Sequence, residues 1–313
     1  SLTDTKFDFA ERVPGVFGEY TYKSGDNFRV VAGIRGDFHN LWGFFLTPRL
    51  HLLYRPDFFS SIRISAGRGQ RTANIYAENL GRFINQRQIL LDVSPESLRD
   101  VPAYHLPPEI GWNAGINLSR DFEVRFRPLQ VRMEYFITYF EQLSVMDLEN
   151  PRDVRFYPLE GEAFAHSFLA EAKLEVHRRF AIKTAFKWQR TLIDFQEGRL
   201  DRPFLPRFRA FVNAAYSTRS KWSFDATFQL VGPQRLPSTE ANPVEYQLPS
   251  HSPIYPLLHA QLSKKLGDKW ELYLGGENLL NFKQDSPILA AMGDRQFFDA
   301  SFIWGPFVGR IVY

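Results

Sequence analysis

Cysteine is absent from the 313 residues, and only three are methionine. Without thiols there are no disulfides, no thiolate metal sites and no cysteine nucleophile. The compartment stays open on that evidence alone, because a barrel needs no covalent staples. No apolar run approaches the ~18 residues that a membrane helix requires, and mean hydropathy is −0.30. If the chain crosses a bilayer, it must do so with strands. No long segment keeps an apolar period of 3.6 residues, so helices should be few. No secretory signal opens the chain, since SLTDTKFDFAERVPG lacks a Met, a basic start and an apolar stretch. The expectation is that a signal has been removed or that upstream sequence is missing. The net charge of +3 is slight, no basic run stands out along the sequence, and no nucleic-acid partner is expected.

Aromatic residues, by contrast, are abundant, with 30 Phe, 13 Tyr and 6 Trp, and they recur in segments of alternating character. The last thirteen residues, SFIWGPFVGRIVY, alternate with period two and end on an aromatic. Period two is the strand period. The same pattern fills Trp222–Val231, where Trp222, Phe224, Ala226, Phe228 and Leu230 alternate with Ser223, Asp225, Thr227 and Gln229. It recurs in Trp112–Ser119, Val131–Phe140, Phe168–His177 and Trp270–Glu277. Less regular segments are Gly15–Lys23, Phe28–His39, Pro48–Arg55, Ser61–Gly69, Arg179–Gln189, Arg207–Thr218 and Tyr255–Leu266. With the terminal strand the total is about thirteen, each near the length that a tilted transmembrane strand needs.

The breaks alternate in length. Short polar turns are expected at 24–27, 56–60, Arg120–Asp121, 177–179, 218–221 and 267–269. Long, Pro-rich connections lie at 70–108, 146–160, 194–206, 232–253 and 281–299, and only 40–46 departs from the rule. Short turns at one end and long loops at the other are the layout of an outer-membrane barrel. The predicted fold class is therefore all-β, a transmembrane antiparallel up-and-down β-barrel. Trp270, Leu272, Leu274, Phe224, Phe228, Ile303 and Phe307 should face lipid on the convex side. Glu271, Asp225, Lys173, Glu134 and Arg310 should face the lumen. Trp112, Trp222 and Trp270 are expected beside the short turns, as an interfacial belt.

A more specific pattern lies near the end, where GGENLLNFKQ at 275–284 is followed by DSPILAAM, FDASFIWGP and VGR. Together with GRGQRTANIYAENLGRF at 67–83, NPRDVRFYPLEG at 150–161 and RPFLPRFRAFVNAAY at 202–216, it resembles the C-terminal part of a Bacteroidota-type TonB-dependent receptor. The resemblance covers essentially the whole chain. It implies that residues 1–313 are the C-terminal part of a larger barrel, with the plug domain and the first strands absent. It implies an importer in the outer membrane of a Gram-negative bacterium, taking up a scarce solute, above all a metal chelate such as a ferric siderophore. The implied partners are outer-membrane lipid, the receptor's own plug domain and the TonB system, the barrel assembly machinery and a small-molecule ligand. The alternative is a passive porin-like or structural barrel.

Ligand contacts are expected in the long connections, at Arg68, Arg71, Tyr76, Tyr104, His105, Tyr157, Tyr246, His251 and Phe297. The arginines suit an anionic ligand and the aromatics a pocket wall. The plainer reading is that Arg68 and Arg71 pair with carboxylates such as Glu78, and that the loop aromatics pack on one another. None of the seven histidines has ligand spacing, so no resident metal and no cofactor is expected. His166 and Ser167 are strand neighbours that point to opposite faces and cannot form a nucleophile pair, so no enzyme is expected. Phe307, Ile311 and Tyr313 are read as the barrel-assembly signal of a closing strand, and Asn278 and Asn281 as caps of the last loop.

Overall fold

Period-two alternation becomes strand throughout the chain. A computed structural model describes residues 10–92 and 106–313. Thirteen strands follow one another in a single antiparallel sheet. They are β1 Gly15–Ser24, β2 Phe28–His39, β3 Gly43–Asp57, β4 Ser60–Arg71, β6 Glu109–Val124, β7 Arg127–Gln142 and β10 Ala163–His177. The meander continues with β11 Phe180–Phe195, β13 Phe208–Ser217, β14 Trp222–Val231, β15 Tyr255–Leu266, β16 Trp270–Glu277 and β17 Ile311–Val312. Each pairs with its neighbour in this order, without crossings, and the sheet runs open from β1 to β17. Among the described residues no helix is long and apolar enough to cross a membrane.

The register separates two faces. One row across nine strands reads Tyr22, Val30, Leu52, Ile64, Ile116, Tyr135, Phe168, Trp188, Phe208. The opposite face carries Lys23, Arg29, Leu53, Arg63, Asn117, Glu134, Leu169, Lys187 and Arg209 in register. Trp270, Leu272, Leu274, Phe224 and Phe228 belong to the apolar face, and Glu271, Asp225, Lys173 and Glu134 to the polar one, as the alternation predicts. The polar face ties itself together, with Arg49 bonded to Glu19 at 2.5 Å and Asn213 bonded to Asp225 and Thr227. The apolar face stays open: Trp270 is 74% exposed and Leu272 60%. An exposed apolar belt of this extent is stable against hydrocarbon and unstable in water.

Several boundaries differ from the sequence reading. The turn expected at Arg120–Asp121 does not form, and β6 runs on to Val124. The chain reverses at Arg125–Phe126, both left-handed with φ of 51° and 60°, joining Val124 to Arg127 in a two-residue hairpin. Such a turn normally selects Asn or Gly, so its residues carry no sequence signal. Trp112 sits at the loop end of its strand, opposite Arg68 and Tyr139, whereas Trp222 and Trp270 do follow short turns. The closing strand is the largest difference. Only Ile311–Val312 pairs, with Glu277 and Gly276, and Tyr313 bonds Gly275 through both backbone groups. Pro306 offers no N–H to a ladder, and side chains capture the segment before it. Gln284 accepts from Trp304 and Gly305 and donates to Phe302, and Asn281 accepts from the Arg310 N–H. Ile303, Phe307 and Arg310 are therefore not strand residues. The pairing puts Val312 on the apolar side with Gly276, and Ile311 and Tyr313 on the polar side, the reverse of the expected parity.

Candidate functional site

The best-packed part of the molecule lies in the long connections. Four further strands form there: β5 Gln88–Leu91, β8 Ser144–Asp147, β9 Asp153–Pro158 and β12 Gly198–Asp201. A short helix α1, Ile75–Asn79, is capped by the Asn74 side chain, which accepts from Ala77 N, while Glu78 accepts from Asn74 N. Strand β9 pairs parallel to β5 and antiparallel to β8. The small sheet is buried on both faces. Val154 and Phe156 pack against Ala73, Ile75, Leu106 and Leu148. Val145 and Tyr157 pack against Ala163, Ile193 and Phe195 at the top of the barrel wall.

Buried polar contacts lock five connections into one cap. Arg87 pairs with Asp299 at 2.8 Å, both nearly inaccessible, and also donates to the Leu148 carbonyl. Arg235 grips Glu149 with two bonds of 2.9 and 2.7 Å. Phe204 N donates to the Arg235 carbonyl, and Gln234 donates to the Trp304 carbonyl at 2.8 Å. Tyr157 donates to Asp147 at 2.7 Å and accepts from Gln196 N. Burial first, and then the Asp147 contact, pushes the Tyr157 phenol above its ordinary range.

Beneath this cap lies a cavity of about 830 Å³. Its walls include the apolar Phe140, Ile193, Phe195 and Phe204 and the cations Arg71, Arg82 and Arg202. Arg71 is compensated, with Glu109 at 2.6 Å and Glu78 at 2.9 Å. Arg82 has no carboxylate within ion-pair distance among the described residues: its guanidinium lies 3.7 Å over the Phe204 ring and donates to the Ser301 carbonyl. Burial lowers its pKa; Asp299 opposes that shift, and Arg202 adds to it. A desolvated cation beside a second cation favours an anion in the cavity. A second cavity of about 660 Å³ at the loop end of β1–β4 shares Arg71 and adds Arg35, Asp37, His39, Arg49 and Arg68 to its lining.

The residues singled out from sequence fall in different places. Arg71 reaches Glu78, as the plainer reading requires, and joins both cavities. Arg68 lies on the opposite strand face and holds Glu141 with bonds of 3.1 and 3.0 Å. Tyr157 is buried in the cap core and offers no surface to a ligand. Tyr246 and Phe297 stack at 5.2 Å, with Arg152 4.5 Å over Phe297. His251 is exposed and bonds its neighbour Ser250. Tyr104 and His105 lie outside the described residues, as does the side chain of Tyr76. Among the described residues no group of three or more His, Asp and Glu is arranged to hold a metal ion. Asn278 and Asn281 both take left-handed conformations in the last loop. Sequence reasoning missed Arg82, Arg202 and Phe204; Pro203 and Pro206, which flank Phe204, were a signal for that residue alone.

A sheet of sequential antiparallel strands with its connections sorted by length defines a class of membrane barrel. The family model described as TonB dependent receptor-like, beta-barrel, matches residues 3–279, and the chain belongs to that family. Compared by sequence with curated proteins, it finds no match. Among solved structures it resembles a ferric enterobactin receptor variant (PfeA) from Pseudomonas aeruginosa in complex with enterobactin. The identity is 14%, the TM-score 0.70, and the match covers 96% of this chain and 44% of that one. The ferric-catecholate import receptor Fiu of E. coli K12 is similar at 13% identity and TM-score 0.65, over 96% of this chain and 44% of that one. The siderophore receptor PirA of P. aeruginosa follows at 10% identity and TM-score 0.60, over 87% and 46%. The chain thus spans less than half the length of these structures.

Proposed function

We propose that this chain is the C-terminal barrel part of an outer-membrane TonB-dependent importer for an anionic metal chelate, a ferric siderophore above all. The observation that carries this reading is the cavity under the interlocked cap, where Arg82 and Arg202 stand among aromatic walls with no carboxylate of the described residues bonded to either. A chelate with negative oxygen donors and flat apolar groups satisfies both wall types. Two structural neighbours, a ferric enterobactin receptor and a ferric-catecholate import receptor, support that substrate class. The strings at 67–83, 150–161, 202–216 and 275–284 support the Bacteroidota type. In the complete receptor the polar face would line the lumen around a plug domain, which takes energy from the TonB system, and the barrel assembly machinery would insert the strands. No bond chemistry is assigned to these residues.

The test is uptake of a radio-iron tricatecholate chelate by cells carrying the complete receptor. Removing both cations, Arg82→Ala with Arg202→Ala, should reduce uptake at least tenfold while the receptor stays in the outer membrane. Uptake that persists in cells without a working TonB system would favour the passive barrel instead.

A further inference from the structure

The charges on the apolar face are sorted by height. Through the middle of every strand from β1 to β16 that face carries no Asp, Glu, Lys or Arg. At the loop end its cations are neutralised within the protein: Arg68 by Glu141 at 3.0 Å and Arg190 by Asp201 at 2.7 Å. At the turn end they are not. Arg120, Arg127 and Lys264 lie on this face by register, opposite Val131, Val124 and Leu272. Among the described residues none of them has a carboxylate within ion-pair distance, and Arg120 feels one from further away, Asp57. Two are instead held against aromatics, Arg120 5.2 Å over Phe122 and Lys264 4.9 Å over Trp222. Lys264 also donates to the Ser220 carbonyl at 2.5 Å.

The turns beside them repeat the pattern. Segments 23–29, 55–60, 120–127, 175–180, 217–222 and 264–271 hold thirteen Lys and Arg against seven Asp and Glu, although the whole chain has 38 against 35. Of those thirteen, Lys221 has an ion-pair partner, Asp268 at 3.6 Å, and the others have none among the described residues. Cations scattered along the sequence therefore gather into one rim. Exposed phenylalanines mark the same rim, Phe58 fully accessible and Phe126 91% exposed.

We infer that this rim is a binding surface for anionic phospholipid headgroups of the leaflet that meets the short turns. The inference rests on the membrane placement proposed above. A cation at the boundary of an apolar belt, beside interfacial aromatics and without a carboxylate at ion-pair distance, is complementary to a phosphodiester at that depth. At the loop end internal pairing removes the same need. Arg120, Arg127 and Lys264 are thus expected to select phosphatidylglycerol-type lipid over zwitterionic lipid.

The experiment uses the complete receptor, purified from outer membranes in detergent and offered equal amounts of phosphatidylglycerol and phosphatidylcholine. Bound lipid is read by native mass spectrometry. The unaltered receptor should retain phosphatidylglycerol about tenfold over phosphatidylcholine, as several interfacial cations warrant. The triple variant Arg120→Gln, Arg127→Gln, Lys264→Gln should fall to near parity, and the loop-end variant Arg190→Gln should keep the preference. Parity in the unaltered receptor, or an undiminished preference in the triple variant, overturns the proposal. Membrane fractionation separates the two levels: receptor recovered outside the membrane sinks the placement itself, whereas membrane-embedded receptor with lipid parity sinks only the headgroup site.

Discussion

Tyr157 shows how closely the cap depends on single groups. Its hydroxyl donates to Asp147 and accepts from the Gln196 backbone, so the neutral phenol is the form the fold holds. A pKa raised in the folded state means a contribution fully present below the ordinary value near 10, and lost as pH rises beyond it. The thermal unfolding midpoint of the cap should therefore fall as pH rises above about 10, and Tyr157→Phe should remove that alkaline step. Arg235 and Glu149 make a second case. Arg235→Ala leaves a buried carboxylate unpaired and should destabilise the cap by about 3–5 kcal/mol. The double replacement Arg235→Met with Glu149→Leu should recover most of that loss, because the desolvated charge leaves with its partner. Thermal unfolding of the three variants in the complete receptor distinguishes the pair from its parts.

Among elements, the β6–β7 hairpin is the clearest point of strain. Two non-glycine residues in the left-handed region cost about 1–2 kcal/mol each. Replacing Arg125–Phe126 with Asn–Gly should raise the refolding midpoint of the complete receptor in urea, and a lower midpoint would refute the assignment of that turn. This hairpin also marks where sequence pattern fails. Polar Arg120–Asp121 advertises a turn, yet both residues sit in a ladder, Arg120 opposite Val131 and Asp121 opposite Gln130. Alternation succeeded where one face is uniformly apolar, as along β14, because a one-residue slip would bury charges in the wrong layer. It failed for residues 301–313, whose alternation is genuine but whose backbone is claimed by Gln284 and Asn281. It gave no sign of β8 and β9, which are four and six residues long and buried on both sides; such runs lack a period to read. Arg82 was equally illegible, since its position depends on Phe204 and Ser301, far along the chain.

For the whole molecule, the barrel wall and the cap are stabilised by different physics. The wall is a ladder of hydrogen bonds awaiting an apolar solvent on one side, whereas the cap has a water-excluding core of its own. Phe156→Ala should remove about 3–5 kcal/mol from the cap. Exchange protection should fall across connections that never touch Phe156, such as 232–254, while amides of β13 to β15 keep theirs. Loss confined to β8 and β9 would show that the connections are independent.

The interlock also bears on how such a surface can diversify. Arg87 answers Asp299 across 212 residues, and Arg235 answers Glu149 across 86. A single connection exchanged for that of a relative would arrive with its half of a buried pair and leave the other half stranded. New specificity is therefore reached more readily by inheriting all five connections together, or by changing residues that face only the cavity. The five connections are thus expected to change together or not at all, even though they are drawn from segments spread over more than 200 positions.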